Sequence, residues 1–137
     1  MSRTIHITEF DHQRLKSLIT EAEYTEYRGS DYLKNLETEL DKGKIVKPTD
    51  VPPDLITMNS KVCLIDKEAG EEVVITLVFP EDADHTQNKI SILAPIGTAM
   101  LGHRVGDTFE YEVPAGNVTM KVKEIIYQPE ASGDYDL

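Results

Sequence analysis

The sequence has no tryptophan, three phenylalanines, one cysteine and no long apolar run. Without a stretch approaching the roughly 20 apolar residues that a bilayer span requires, no transmembrane helix is expected. The opening residues Met1-Ser2-Arg3-Thr4-Ile5-His6 lack the long apolar segment of a secretory signal. The lone Cys63 cannot close an internal disulfide, which fits a reducing cytoplasm. It lies in an alternating apolar stretch with no activating neighbour in sequence, so a buried thiol is expected rather than a nucleophile. Basic residues are also scarce: 14 Lys and Arg stand against 25 Asp and Glu, for a formal net charge of -11. That balance argues against broad contact with a nucleic-acid backbone. It leaves two readings, a soluble acidic surface or a partner with a basic one.

Signatures of chemistry are missing too. The four histidines, His6, His12, His85 and His103, show no metal-ligand spacing to one another or to Cys63, and read as surface residues. There is no Walker-type phosphate loop, no GxGxxG after a strand and no GxSxG elbow. Glu81-Asp82-Ala83-Asp84-His85 offers oxygen ligands for a cation, but it lies between two strand patterns and reads as a solvated hairpin loop. Glu21, Glu23 and Glu26 cluster between two helical patterns. Two carboxylates there could carry magnesium into another protein's active site, or could simply be solvated helix-end charge.

What is present divides near Pro48–Pro53. Hydrophobic residues make up 39% of the 137, enough for one real core. Before the prolines the apolar spacing is helical. Thr8-Glu9-Phe10-Asp11 resembles a capping box, and Leu15, Leu18, Ile19 and Ala22 come next on one helix face. Tyr24–Gly29 breaks the pattern, Ser30 or Asp31 can cap a second helix, and Leu33, Leu36 and Leu40 form its stripe. Gly43 suits a left-handed C-cap. Two such helices make an antiparallel hairpin reaching only about 20 Å.

After the prolines, which predict an extended linker over 48–54, the spacing alternates. Strands are expected from Ile56 to Leu64, Val73 to Phe79, Lys89 to Leu93, Phe109 to Val113 and Val118 to Tyr127, with a short helical turn at Gly97–Leu101 and a loop at Gly102–Asp107. Pro114-Ala115-Gly116-Asn117 reads as a hairpin turn. The tail, 128–137, reads as polar and loose. The expected architecture is α+β: a coiled-coil hairpin over 1–47, a linker over 48–54, an antiparallel sheet domain with one short helix over 55–127, and the tail.

The ordered set Ile90-Ser91-Ile92-Leu93-Ala94-Pro95-Ile96-Gly97, Leu101-Gly102-His103-Arg104-Val105-Gly106-Asp107 and Val113-Pro114-Ala115-Gly116 resembles the C-terminal domain of the Gre transcript-cleavage factors. Thr57-Met58-Asn59-Ser60 and Tyr127-Gln128-Pro129-Glu130-Ala131-Ser132-Gly133-Asp134-Tyr135 are similar to a short-armed branch of that family. The tail match is the more specific because a loose tail has little packing reason to recur. The resemblance implies an FKBP-like domain and a cytoplasmic protein that binds RNA polymerase at the rim of its secondary channel. The implied contact loop is Leu93, Ala94, Pro95 and Ile96. Pro95 matches the family's proline, whereas Leu93 stands where an acidic or amide residue is usual, implying an apolar contact; alternatively Pro95 merely ends an edge strand.

Gre factors present two carboxylates at the tip of a long coiled coil, which hold magnesium for cleavage of backtracked RNA. Here Glu23 and Glu26 have a compatible separation, but the hairpin is about half the needed length. The expectation is therefore a protein with no metal, cofactor or cleavage activity of its own, occupying the channel entrance in competition with longer factors; its oligomeric state stays open between a monomer and self-association through the apolar stripe of the hairpin. The alternative is an FKBP-like peptidyl-prolyl isomerase or chaperone-like binding module. The shortage of aromatic residues for a prolyl pocket speaks against it.

Overall fold

A computed structural model describes residues 4–22, 24–25 and 28–134. Helix α1 spans Glu9–Ala22. Its start matches the expected cap, with the Asp11 N–H donating to Thr8 Oγ1 at 3.2 Å. Leu15, Ile19 and Ala22 are buried, three and four residues apart. Helix α2, Asp31–Lys42, buries Leu33, Leu36 and Leu40. Ser30 precedes it without a side-chain capping bond; an acid in the first turn and a lysine in the last complement its dipole. Lys16 of α1 donates to Asp41 of α2 at 2.9 Å, an exposed pairing of small energetic weight.

The base of this arm holds an element that the sequence pattern does not reveal. His6–Ile7 (β1) and Lys44–Ile45 (β2) pair in parallel, through Lys44 N–H to Ile5 O and Val46 N–H to Ile7 O, both 2.8 Å. Two-residue strands are too short to show alternation. Gly43 does end α2, but not in the left-handed conformation: it lies at φ -70°, ψ 171°, leading straight into β2. Glycine is required there for space, since a Cβ would lie 2.8 Å from the Ile5 carbonyl oxygen.

The segment 48–54 is not simply extended. Pro48–Asp50 forms a 3-10 turn and Val51 is buried. The first expected strand also starts later than its alternation suggests. β3 spans Lys61–Asp66, and the preceding residues form a tight turn, with Asn59 left-handed at φ 67° and Thr57 N–H donating to Ser60 Oγ at 3.0 Å. Leu55, Ile56 and Met58 are nevertheless buried, because Ile56 N–H bonds to His103 O and Gly102 N–H to Ile56 O, pinning the segment over the core.

β4 (Glu72–Val78), β5 (Lys89–Ser91), β6 (Thr108–Val113) and β7 (Gly116–Tyr127) complete a five-stranded sheet of order β5-β4-β3-β7-β6. Every pairing is antiparallel except β4–β5, which is parallel. The acidic segment 81–85 is therefore part of a crossover and not a hairpin loop; two 3-10 turns within 79–88 carry the chain back to the same end of the sheet. Register shifts between β3 and β7 bend the long β7, which pairs on both sides and curls the sheet. Helix α3 (Pro95–Met100) packs beside β6 and α2. The apolar residues of α1 and α2 form one cluster with those of the sheet, from Leu15 and Leu36 to Met58, Leu64, Leu77 and Met100.

The tail through Asp134 belongs to the fold. Gln128 is 3% exposed; its Nε2 donates to Pro52 O at 2.8 Å and to Leu55 O at 2.7 Å, and its Oε1 caps the short helix α4 (Pro129–Ser132) by accepting from Ala131 N–H. This is the packing reason that a reading of the tail as loose lacked. Among the described residues no helix is long and apolar enough to cross a membrane. Replacing Gln128 by alanine strands the buried Leu55 carbonyl, removes the α4 cap and leaves the Pro52 carbonyl with only the Leu55 N–H at 3.2 Å. Gln128→Ala is expected to lower stability by about 3 kcal/mol, seen as a fall in the urea midpoint with an unchanged slope.

Candidate functional site

The turn that carries Pro95 is assembled from the end of β5 and the start of α3. Ser91 closes β5 and organises the next three residues: its Oγ accepts from Leu93 N–H and its carbonyl from Ala94 N–H, both at 3.0 Å. Ile92 and Leu93 turn inward, at 0% and 8% exposure. Pro95 occupies the first turn of α3, where a residue without an N–H leaves no helix bond unmade. The helix thus begins at Pro95, two residues before the expected Gly97. Pro95 starts an element rather than only ending one.

Leu93 is consequently a core residue, and the exposed apolar surface of this turn is Pro95, flanked by half-buried Ala94 and Ile96. The turn is held rigidly. Thr98 N–H donates to Ala94 O at 2.9 Å, and Thr98 Oγ1 donates to Ile92 O. Gly97 sits so close to the end of β5 that a Cβ would lie 2.2 Å from the Ser91 carbonyl oxygen.

Beyond α3, the 102–107 loop is tied to the Pro-rich segment by Arg104, whose guanidinium reaches Asp54 Oδ1 at 2.8 Å and whose N–H donates to Asp107 Oδ2 at 2.8 Å. Beside the turn, a groove of about 570 Å³ opens between α2, α3 and β6, lined by Asp31, Pro95, Glu110 and Glu112 among others.

Glu23 and Glu26 lie outside the described residues. Next to them, Glu21 is exposed and Tyr24 is 89% exposed. No group of three His, Cys, Asp or Glu that could hold a metal ion is found among the described residues. Cys63 is buried, and burial together with the nearby Glu72 raises its thiol above the usual range, the opposite of activation. The rings of Phe79 and Phe109 do not converge. Arg14 covers Phe79 at 3.8 Å to the ring centroid, and His103 lies 5.2 Å from Phe109.

This combination of a helical arm and a curled sheet is matched among known proteins. The family model for the C-terminal part of transcription elongation factors GreA/GreB matches residues 51–127, and that for the Rnk N-terminus matches residues 3–46. The chain belongs to the GreA/GreB family. More particularly, it is similar to the regulator of nucleoside diphosphate kinase of Escherichia coli (strain K12), at 41% identity over 98% of both chains. It is 39% identical to the transcription elongation factor GreA of Caldanaerobacter subterraneus subsp. tengcongensis, over 68% of this chain and 59% of that one. A solved structure, the prokaryotic transcription elongation factor GreA/GreB from Nitrosomonas europaea, superposes with a TM-score of 0.77 at 36% identity, covering 92% of this chain and all of that one.

Sequence reasoning placed Pro95 at this turn but could not tell which neighbours share its surface. It missed Gly97 and Ser91 as the pair that sets the turn. A glycine in the first turn of a helix directly after a strand was the available signal. Gly97→Ala is expected to force α3 away from β5 and to lower stability by about 2 kcal/mol or more, measured as a depressed thermal midpoint.

Proposed function

We propose that this protein is a non-enzymatic regulator of transcription elongation that binds RNA polymerase at the entrance of its secondary channel, with the Pro95 turn as the principal contact. The observation that carries this reading is a rigid, exposed proline at the head of α3 in a chain of the GreA/GreB family. A preorganised apolar projection binds without a large ordering cost, which suits a docking element. Ala94 and Ile96 complete the contact, and Leu93 supports it from the core. We read the sheet and α3 together as an FKBP-like domain used for binding.

The length of the arm limits its effect once the protein is docked. Its helices have 14 and 12 residues and therefore rise about 20 Å at most. At that reach Glu23 and Glu26 stop short of the polymerase metal, so the protein competes with longer Gre factors without stimulating cleavage. A distant carboxylate cannot assist the reaction, because catalysis depends on position within ångströms. The regulation of nucleoside diphosphate kinase named for the relative is read as an indirect effect, since the chain has no nucleotide-binding motif.

Size-exclusion chromatography with core polymerase tests the reading. The natural protein is expected to co-migrate with polymerase and to be displaced by a Gre factor. Pro95→Asp is expected to weaken binding at least tenfold while remaining folded. A natural protein that never co-migrates would overturn the proposal, as would cleavage of backtracked RNA stimulated on its addition.

A further inference from the structure

β6 is the outer strand of the sheet and pairs with β7 on one side only. Val122 N–H donates to Asp107 O at 2.9 Å, and the register then runs without a shift from Thr108↔Lys121 to Val113↔Gly116. Hydrogen-bonded pairs alternate along an antiparallel ladder, so Phe109, Tyr111 and Val113 turn their main-chain groups toward β7. Those of Thr108, Glu110 and Glu112 face away from it, and no group among the described residues bonds to them. The opposite edge differs: β5 has three residues, and Asp84 bridges to its Lys89.

A groove follows the free edge. The 570 Å³ cavity beside Pro95 is lined by the consecutive residues Glu110, Tyr111 and Glu112, and a second one, of about 500 Å³, by Thr108, Phe109 and Glu110. Glu39 and Ala99 line both, so the two run into each other. Successive side chains of a strand point to opposite faces, so a groove that touches all of them lies along the strand's edge. Across it α2 contributes Asp31, Asn35 and Glu39, one face of the helix at four-residue steps.

The charge of the groove has one sign. Neither cavity is lined by a lysine or arginine among the described residues. Asp31, Glu110 and Glu112 are exposed, and no cation among the described residues pairs with them. Main-chain groups without partners call for another strand, and these carboxylates decide its charge. A second copy of β6 would bring a second Glu110 and Glu112 into the same groove, which like-charge repulsion opposes.

We propose that the β6 edge is a strand-addition site for an extended polypeptide segment that carries lysine or arginine at alternate positions. The main chain of that segment bonds to Thr108, Glu110 and Glu112, and two of its cations, spaced roughly 7 Å apart along one face, meet the Glu110 and Glu112 carboxylates. The acids that blunt the edge against its own kind thereby select the partner. The site rests on the edge and its groove, and is independent of the polymerase reading.

Amide hydrogen exchange of the full chain, read residue by residue by NMR, tests it with a capped synthetic peptide, Thr-Lys-Val-Lys-Val-Lys-Thr, and no polymerase. In the free protein the amides of Thr108, Glu110 and Glu112 should exchange rapidly, and those of Phe109 and Tyr111 slowly. Excess lysine peptide should slow the first three about tenfold or more, while the same peptide with glutamate for lysine should leave them unchanged. Glu110→Gln and Glu112→Gln together should raise the Kd of the lysine peptide about tenfold, with the sheet amides protected as before. Absence of binding, binding that leaves the three amides unprotected, or equal effects of the two peptides would overturn the proposal. Protection already present in the free protein and growing with its concentration would assign the edge to a second copy and overturn it too.

Discussion

The structure depends on the arm and the sheet burying their apolar surfaces against each other. Helices of 14 and 12 residues are marginal alone in water, and side-chain pairs one turn apart are too weak to hold them. Their stripes, Leu15 and Ile19 on one side and Leu33, Leu36 and Leu40 on the other, instead enter the cluster that contains Met58, Leu64 and Leu77. Each such side chain contributes on the order of 2 kcal/mol when withdrawn from water. The division at the prolines is thus a change of periodicity and not a break in the core.

Around that shared core the chain uses polar groups of main chain and side chain as fasteners. The β1–β2 pair closes the arm where its two ends enter the body. Gln128 reaches across to the Pro-rich segment, where it satisfies the buried Leu55 carbonyl and adds a second bond to the Pro52 carbonyl. Thr57 and Glu130 link the turn before β3 to the last helix. These fasteners join segments that are neighbours in space but up to 76 residues apart in the chain. They explain why a polar tail can be as specific as a core strand.

The same economy shapes the Pro95 turn. Ser91, Gly97 and Thr98 bind the turn to β5 from within, so the most exposed apolar group of the turn is the proline. Rigidity here comes from close approach of backbone to backbone, a feature of shape that needs no charge and no metal. An acidic chain with few aromatics can therefore offer a defined contact surface without a deep pocket.

Periodicity and capping residues determined the two helices, and alternation determined β4, β6, β7 and the hairpin at Pro114-Ala115, because these signals act over neighbouring residues. The ordered motifs around Pro95 and Gly102–Asp107 were also legible, because turns demand particular residues at fixed places. Tertiary structure alone decided the rest. Whether β5 would run parallel to β4 depended on where the crossover could return, and the burial of Leu55–Met58 in an irregular segment depended on His103 and Gly102 holding it from outside. Gly43 was legible as a stop, but its reason, the Ile5 carbonyl 2.8 Å from the missing Cβ, belongs to a contact across the arm. Leu93 could not be assigned to surface or core by type, and Asp11 could not be seen as buried, because a side chain's environment is set by elements remote in sequence. The sequence by itself thus determined what acts locally, and long-range packing decided which polar groups would be sealed from water.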